Sequence, residues 1–306
     1  MTGRVCVIGS ANMDMVVRAP SLPTPGETLL GESYRTFPGG KGANQAVAAA
    51  RMGARVTMIG RVGADASGTE LRKVLGREGV DLTAMRTAAG VSTGVALITI
   101  DAQGENTIVA VGGANLLVSP EDIKGVAGLI RSAEVLLMQL EVPLDAVEAA
   151  AQLAHGAGRR VILNAAPARP LPDTLLRLLD VLIVNEAEAA SLTKRPIDTA
   201  PEQLAKALLA LGPKAVIITL GKRGALVADA SGTSTVPSVP VTAADTVGAG
   251  DAFCGTVAAM LAEDKTLAHA VRVGCVAGAL AATKPGAIPS LPTRAAVGEI
   301  LAAKPH

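Results

Sequence analysis

Six short runs of branched apolar residues, none alternating with polar ones, constrain this chain more than any other feature. They are Val5–Ile8, Val56–Ile59, Val135–Met138, Val161–Leu163, Val181–Val184 and Val216–Thr219. A strand with one face in water alternates apolar and polar residues, whereas a strand covered on both faces is apolar throughout. Between the runs lie stretches with helix-end signals. Ser67-Gly68-Thr69-Glu70 has the spacing of a capping box, and Gly79 suits a helix stop. Ser119-Pro120-Glu121-Asp122 supplies a cap, a first-turn proline and two acids where the helix dipole favours them. Strand and helix in alternation predict an α/β fold, a parallel sheet wrapped by helices.

Two stretches interrupt that rhythm. Residues 12–38 and 91–113 lack helical periodicity and carry turn clusters such as Pro23-Thr24-Pro25-Gly26 and Asp101-Ala102-Gln103-Gly104. Thr93–Ile100 and Asn106–Val111 have the pattern of a hairpin. Both stretches are expected to form a small accessory sheet inserted into the α/β unit. No repeat or low-complexity segment is present.

Composition narrows the function classes. Lys+Arg number 28 against 27 Asp+Glu, a net charge of +1, which gives no basic surface for nucleic acid or anionic membrane. The aromatics are Tyr34, Phe37 and Phe253, too few for base-stacking platforms. Cys6, Cys254 and Cys275 sit in apolar runs, so core packing is expected rather than a disulfide or zinc framework. His155, His269 and His306 are scattered, which argues against a histidine metal site. The longest apolar stretches, Ala252–Ala262 and Val273–Ala282, fall short of the roughly 20 residues a membrane span needs. The expectation is a soluble, cytoplasmic protein.

Asp245-Thr246-Val247-Gly248-Ala249-Gly250-Asp251 precedes an apolar helix. Small residues before a helix let backbone N–H groups converge where the dipole is positive, which suits an anion, and Asp251 stands close enough to accept a proton there. The same residues also fit an ordinary glycine turn with a capping Asp. Phe37-Pro38-Gly39-Gly40-Lys41-Gly42-Ala43-Asn44 is a second glycine loop, with Lys41 and Asn44 as donors. It lacks the spacing of a Walker A loop, and a plain strand-to-helix turn remains open. Asn185-Glu186-Ala187-Glu188 and Thr219-Leu220-Gly221-Lys222-Arg223-Gly224 each follow a strand run, where open parallel sheets bind ligands. A solvated helix start explains the first equally well. Asn12 and Asp14 share one face of an extended segment, as two polar groups for vicinal sugar hydroxyls would, or as a solvent-facing edge would.

Taken together, Gly39–Val47 and Asp245–Asp251 resemble the two signature segments of the ribokinase-like, or PfkB, carbohydrate kinases. Pro23–Thr28, Ser92–Leu97, Leu137–Glu141 and Asn164–Ala168 are similar to the ribose-phosphorylating branch of that family, and the likeness covers nearly the whole chain. The resemblance implies a three-layer α/β core over residues 1–11, 39–90 and 114–306. It implies a β-sheet lid over 12–38 and 91–113, and a homodimer formed through the lids. It also implies transfer of the ATP γ-phosphate to the 5-hydroxyl of D-ribose. Asp251 would be the base, with Gly248, Ala249 and Gly250 offering N–H groups to the phosphoryl. The sugar would meet Asn12, Asp14, Gly39, Gly40, Lys41, Asn44, Glu141 and Asp251. ATP would meet Asn185, Thr219, Gly221, Gly224 and Gly250, with Glu188 organising Mg²⁺. A potassium ion would be held by Asp245, Val247, Ala281, Lys284, Gly286 and Ser290. The chain departs from the family at Pro285, within the cation loop, and at Cys275, where a His can contact adenine. Kinases for another pentose, deoxyribose, a ketohexose or a nucleoside share these motifs. A non-catalytic sugar-binding protein on the same fold would have no need of Asp251 and its glycines.

Overall fold

The computed structural model describes residues 2–303, so His306 lies outside the described residues. The strands in chain order are β1 (Arg4–Ile8), β2 (Asn12–Arg18), β3 (Ser33–Gly39), β4 (Arg55–Gly63), β5 (Met85–Ala88), β6 (Gly94–Ile100) and β7 (Asn106–Val111). They continue as β8 (Val135–Met138), β9 (Arg160–Asn164), β10 (Val181–Asn185), β11 (Ala215–Thr219), β12 (Ala225–Asp229) and β13 (Gly232–Val236). Each of the six apolar runs is a strand of one nine-stranded sheet, ordered β13-β12-β11-β10-β9-β8-β1-β4-β5. The strands from β11 to β5 are parallel, and β12 and β13 add an antiparallel hairpin at one edge.

The continuous apolar character has the expected cause. Along β1, Val5 and Val7 enter one core while Cys6 and Ile8 enter the other. The first core is closed by α1 (Lys41–Arg51) and α2 (Ala66–Arg77), the second by α3 (Pro120–Gly125), α4 (Ala127–Ser132), α5 (Leu144–Gly156), α6 (Asp173–Leu176), α7 (Glu186–Thr193) and α8 (Pro201–Leu209). The chain then returns to the first face with α9 (Ala249–Ala262), α10 (Leu267–Ala281) and α11 (Arg294–Ala303). All three cysteines are buried and unpaired, as their apolar settings predict.

The two aperiodic stretches supply a second, four-stranded sheet, ordered β3-β2-β6-β7, in which β6 and β7 form the expected hairpin. β3 runs one residue past the anticipated boundary, to Gly39, because Gly39 still pairs with Asn12. Helix ends follow the sequence signals at Ser119, whose capping box closes on Asp122, and at Gly79, which turns the chain at φ +79° after α2. The start of α2 is a correction. Asp65, not Ser67, is the cap, accepting from the Gly68 N–H, and its carboxylate also accepts from the Thr93 hydroxyl and N–H. A partner 28 residues away also engages that cap. Among the described residues no helix is long and apolar enough to cross a membrane.

Candidate active site

Parallel strands bring their carboxyl ends to one edge of the sheet, and the polar residues just beyond those ends converge there. β1 leads to Ser10 and Asn12, β8 to Gln139 and Glu141, β9 ends on Asn164, β10 on Asn185 and β11 on Thr219. Strand order reverses between β1, followed outward by β4 and β5, and β8, followed by β9 to β11. At that switch the Ser10 hydroxyl donates to Glu141, which also accepts the Lys41 backbone N–H at 3.2 Å.

The start of α9 closes the site. Gly248 caps it in the left-handed region at φ +78°, a conformation that favours glycine. Asp251, in the first turn, is 9% exposed. Its Oδ1 accepts from Gln45 Nε2 and its Oδ2 from Asn44 Nδ2, both at 2.9 Å. Burial pushes the Asp251 carboxyl up, against the pull of Lys41 and the two amide donors. Lys41 is held above its ordinary value: burial opposes the charge, but Asp251, Glu141 and Glu188 outweigh it. A carboxyl raised by burial, with a neighbouring cation and two N–H donors offsetting part of that shift, can take a proton beside an anion at the positive end of a helix.

A cleft of about 210 Å³ opens onto Asp251 and is lined by Lys41, Asn185, Glu188, Thr219, Gly248 and Gly250. An added Cβ at Gly250 would meet nothing within 4 Å, so that residue leaves the cleft mouth open. Ala249 differs from expectation. Its N–H donates to the Thr246 carbonyl at 3.2 Å, whereas Gly250 and Asp251, in the first turn, have no intrahelical acceptor. Asn185 and Glu188 cap α7 reciprocally, each side chain bonding the other's backbone N–H at 2.8 Å. That segment is a helix start, and Asn185 and Glu188 also line the cleft. Glu188 is raised by burial and by Asp251, against its bond from Asn185 and the charge of Lys41. Gly221 and Gly224 lie just beyond Thr219, both at positive φ. A Cβ at Gly224 would come within 2.0 Å of the Val236 carbonyl oxygen, so packing against β13 already demands that glycine.

The second sheet contributes Asn12 and Asp14. Asn12 Oδ1 accepts from Asn115 Nδ2 at 2.7 Å, and Asn115 is itself fixed by the Ala11 N–H. A Cβ at Gly39 would lie 2.3 Å from Asp14 Oδ2, and one at Gly40, which has φ +90°, 2.7 Å from the Asn12 nitrogen. These glycines therefore make room for the acidic and amide groups beside them. Asp14 is pushed up to about 7 by burial first, then by Glu141 and Asp251, with Lys41 opposing. A carboxyl raised in the folded state binds its proton more tightly there than in the unfolded chain. Stability is thus lost as pH rises from the unfolded value near 4 through about 7. Asp14→Asn is expected to melt about 2–4 °C above the native protein at pH 8 and level with it at pH 4, as calorimetry without ligand would register.

A third cluster sits behind Gly248. Asp245 accepts from the Val247 N–H at 3.0 Å and from the Gly286 N–H at 2.9 Å, which ties the 245–247 loop to the 281–290 loop. The Ala281 carbonyl accepts from the Lys284 N–H, and the Ser290 hydroxyl donates to the Ala287 carbonyl. The segments expected to share a cation are therefore adjacent. Among the described residues no group of three His, Cys, Asp or Glu could hold a metal by itself. Ser10, Gln45, Asn115, Gln139 and Asn164 were not anticipated as parts of the site. Gln45, Gln139 and Asn164 lie inside the quoted motifs, and their polar type within apolar runs was the available signal.

The pfkB family carbohydrate kinase model matches residues 2–294. The chain belongs to the pfkB carbohydrate kinase family. Within it the chain is 41% identical over 305 residues to ribokinase of Haemophilus influenzae, covering 98% of this chain and 99% of that protein. It is 35% identical over 292 residues to deoxyribokinase of Salmonella typhi, covering 94% and 95%. The structure superposes on Arabidopsis thaliana ribokinase complexed with ribose and ATP at a TM-score of 0.92, with 34% identity over 98% of this chain and 99% of that one.

Proposed function

We propose that this kinase transfers the γ-phosphate of ATP to the 5-hydroxyl of D-ribose. The observation that carries the reading is Asp251, buried at the N-terminus of α9 and opening onto a cleft lined by Lys41, Asn185, Glu188 and Thr219. Asn12, Asp14, Asn44, Lys41 and Glu141 supply acceptors and donors for ribose hydroxyls, with Gly39 and Gly40 permitting close approach. Asp251 would accept the 5-hydroxyl proton as the oxygen attacks. The N–H groups of Gly248 and Gly250, with the helix dipole, would stabilise charge on the phosphoryl, a transfer governed by positioning and electrostatics. Ala249, whose N–H is engaged, would serve through its small size.

ATP would lie along Asn185, Thr219, Gly221, Gly224 and Gly250. Mg²⁺ keeps most of its waters and binds through one or two carboxylates plus phosphates, so Glu188 at the cleft is an adequate donor. When bound it would neutralise phosphate charge. Asp245, Val247, Ala281, Lys284, Gly286 and Ser290 would hold K⁺, a reading supported by the Asp245 bonds that join their two loops.

Residues 12–38 and 91–113 would act as a lid over the core. Val109 and Val111 on β7 are 61% and 46% exposed, and with Leu97 and Tyr34, which share their face of the small sheet, they give an apolar surface suited to a second copy. A cytoplasmic location fits the three free, buried thiols.

ADP release measured with ribose, 2-deoxyribose, fructose and adenosine, in K⁺ and in its absence, tests these assignments together. The expected result is ribose preferred by at least tenfold, ribose 5-phosphate as the product, and a lower rate without K⁺. A higher kcat/KM on deoxyribose would overturn the substrate while leaving the family intact.

A further inference from the structure

We propose that Gln45 and Gln139 are a pair of positioning residues that lock the Asp251 carboxylate in one orientation. The proposal rests on Asp251 serving as the base of a sugar kinase.

Both amides are 0% exposed, so every polar atom on them must find a protein partner or go without. Gln45 is fully engaged. Its Nε2 donates to Asp251 Oδ1 at 2.9 Å and to Asn164 Oδ1 at 3.0 Å, and its Oε1 accepts from Gln139 Nε2 at 2.7 Å. Asn164 is held as an acceptor because its own Nδ2 donates to the Ile183 carbonyl at 3.2 Å. Turning the Gln45 amide over would set its oxygen against two acceptor oxygens and its nitrogen against a donor. That orientation is therefore fixed from three sides, and so is the N–H aimed at Asp251.

Gln139 is the less expected member. Its Nε2 orients Gln45, but its Oε1 is buried with no partner. The turn after β1 closes over that oxygen, since a Cβ at Gly9 would come within 2.0 Å of it. An orphaned acceptor in the core costs free energy that a leucine would not. If Gln139 served packing alone, an apolar residue of similar size would be neutral or stabilising. Its orienting bond to Gln45 is the contact an apolar residue cannot replace. The orientation matters because Asp251 has its carboxyl at the cleft while Asp14, Glu141 and Glu188 are like charges that interact with it, so a fixed donor decides which oxygen is free to take a proton.

The test compares Gln45→Met, Gln139→Leu and the double variant, each checked for folding by a cooperative melt. Expected results are a fall in kcat of about 10–100-fold for Gln45→Met and about 5–10-fold for Gln139→Leu, with ribose KM within threefold of native. The double variant should stay within twofold of Gln45→Met, because both changes act on the one bond to Asp251 Oδ1, while Asn44 still holds Oδ2. Gln139→Leu should melt close to the native protein, since it removes one orphaned acceptor, Gln139 Oε1, and leaves another, Gln45 Oε1. Independently of turnover, the ¹³C-carboxyl resonance of Asp251, assigned by its loss in Asp251→Asn, should titrate at higher pH in both single variants. Native-like kcat in both folded variants, multiplying losses, a parallel rise in ribose KM, or failure of both to fold would overturn the proposal. If the native protein phosphorylates no sugar, the functional reading fails, and the carboxyl titration still decides the positioning.

Discussion

Asp251→Asn should lower kcat by about 10²–10⁴-fold, the range over which a positioned general base contributes, with ribose KM little changed. The asparagine keeps the shape of the carboxyl but cannot take the hydroxyl proton. It also presents an N–H₂ to one of two fixed donors, Asn44 Nδ2 or Gln45 Nε2, where both now meet acceptor oxygens. Steady-state kinetics with ribose and ATP check both parameters. Turnover within tenfold of native would remove Asp251 from the role of base.

Gly255→Ala should be strongly destabilising. Gly255 lies inside α9 where that helix crosses α1. An added Cβ would sit 2.4 Å from the Gln45 carbonyl oxygen, 2.6 Å from Ala48 Cβ and 2.9 Å from the Ala49 nitrogen. Two of those atoms are backbone and cannot rotate away. Alanine gains about 1 kcal/mol of helix propensity over glycine, while overpacking at this distance costs about 3 kcal/mol. The net loss is about 2 kcal/mol, a fall in Tm of about 4–8 °C. Because α1 carries Asn44 and Gln45 and α9 carries Asp251, separating the helices should also lower kcat by about tenfold. Gly298→Ala on α11, whose Cβ would meet nothing within 4 Å, is the control and should be neutral or stabilising by up to about 1 kcal/mol. Calorimetry on the two variants would show whether backbone proximity or helix propensity dominates.

The layered architecture was legible because burial on both faces leaves a compositional mark. Runs such as Val181–Val184 contain no polar residue, and each proved to be a parallel strand with one core on either side. The second sheet was legible from missing helical periodicity and from turn residues, which are local signals. The helix start at Ser119, where the cap is local, was read correctly. The start of α2 was misplaced although its cap bond, from the Gly68 N–H to Asp65, is local; Thr93, 28 residues on, donates twice more to the same carboxylate. Ala249 shows the same limit within the site. Its residue type suited an anion hole, but the turn geometry sends its N–H to Thr246.

The motif residues of the site were readable as types with a chemistry: acids, amides, a lysine and glycines at two loops. Their mutual arrangement was not. Nothing in the spacing of Asn12 and Asn115, of Ser10 and Glu141, or of Gln45, Gln139 and Asn164 brings them together. The sequence alone determined the parallel sheet, its two covered faces and the small sheet beside it, because burial and turn formation act over a few residues and leave a periodic trace. Only the tertiary structure decided which amide faces Asp251, which glycines must lack a side chain and why burial raises the Asp14 carboxyl. Those outcomes depend on contacts between segments separate in sequence, set by strand order and helix crossing, which no local pattern records.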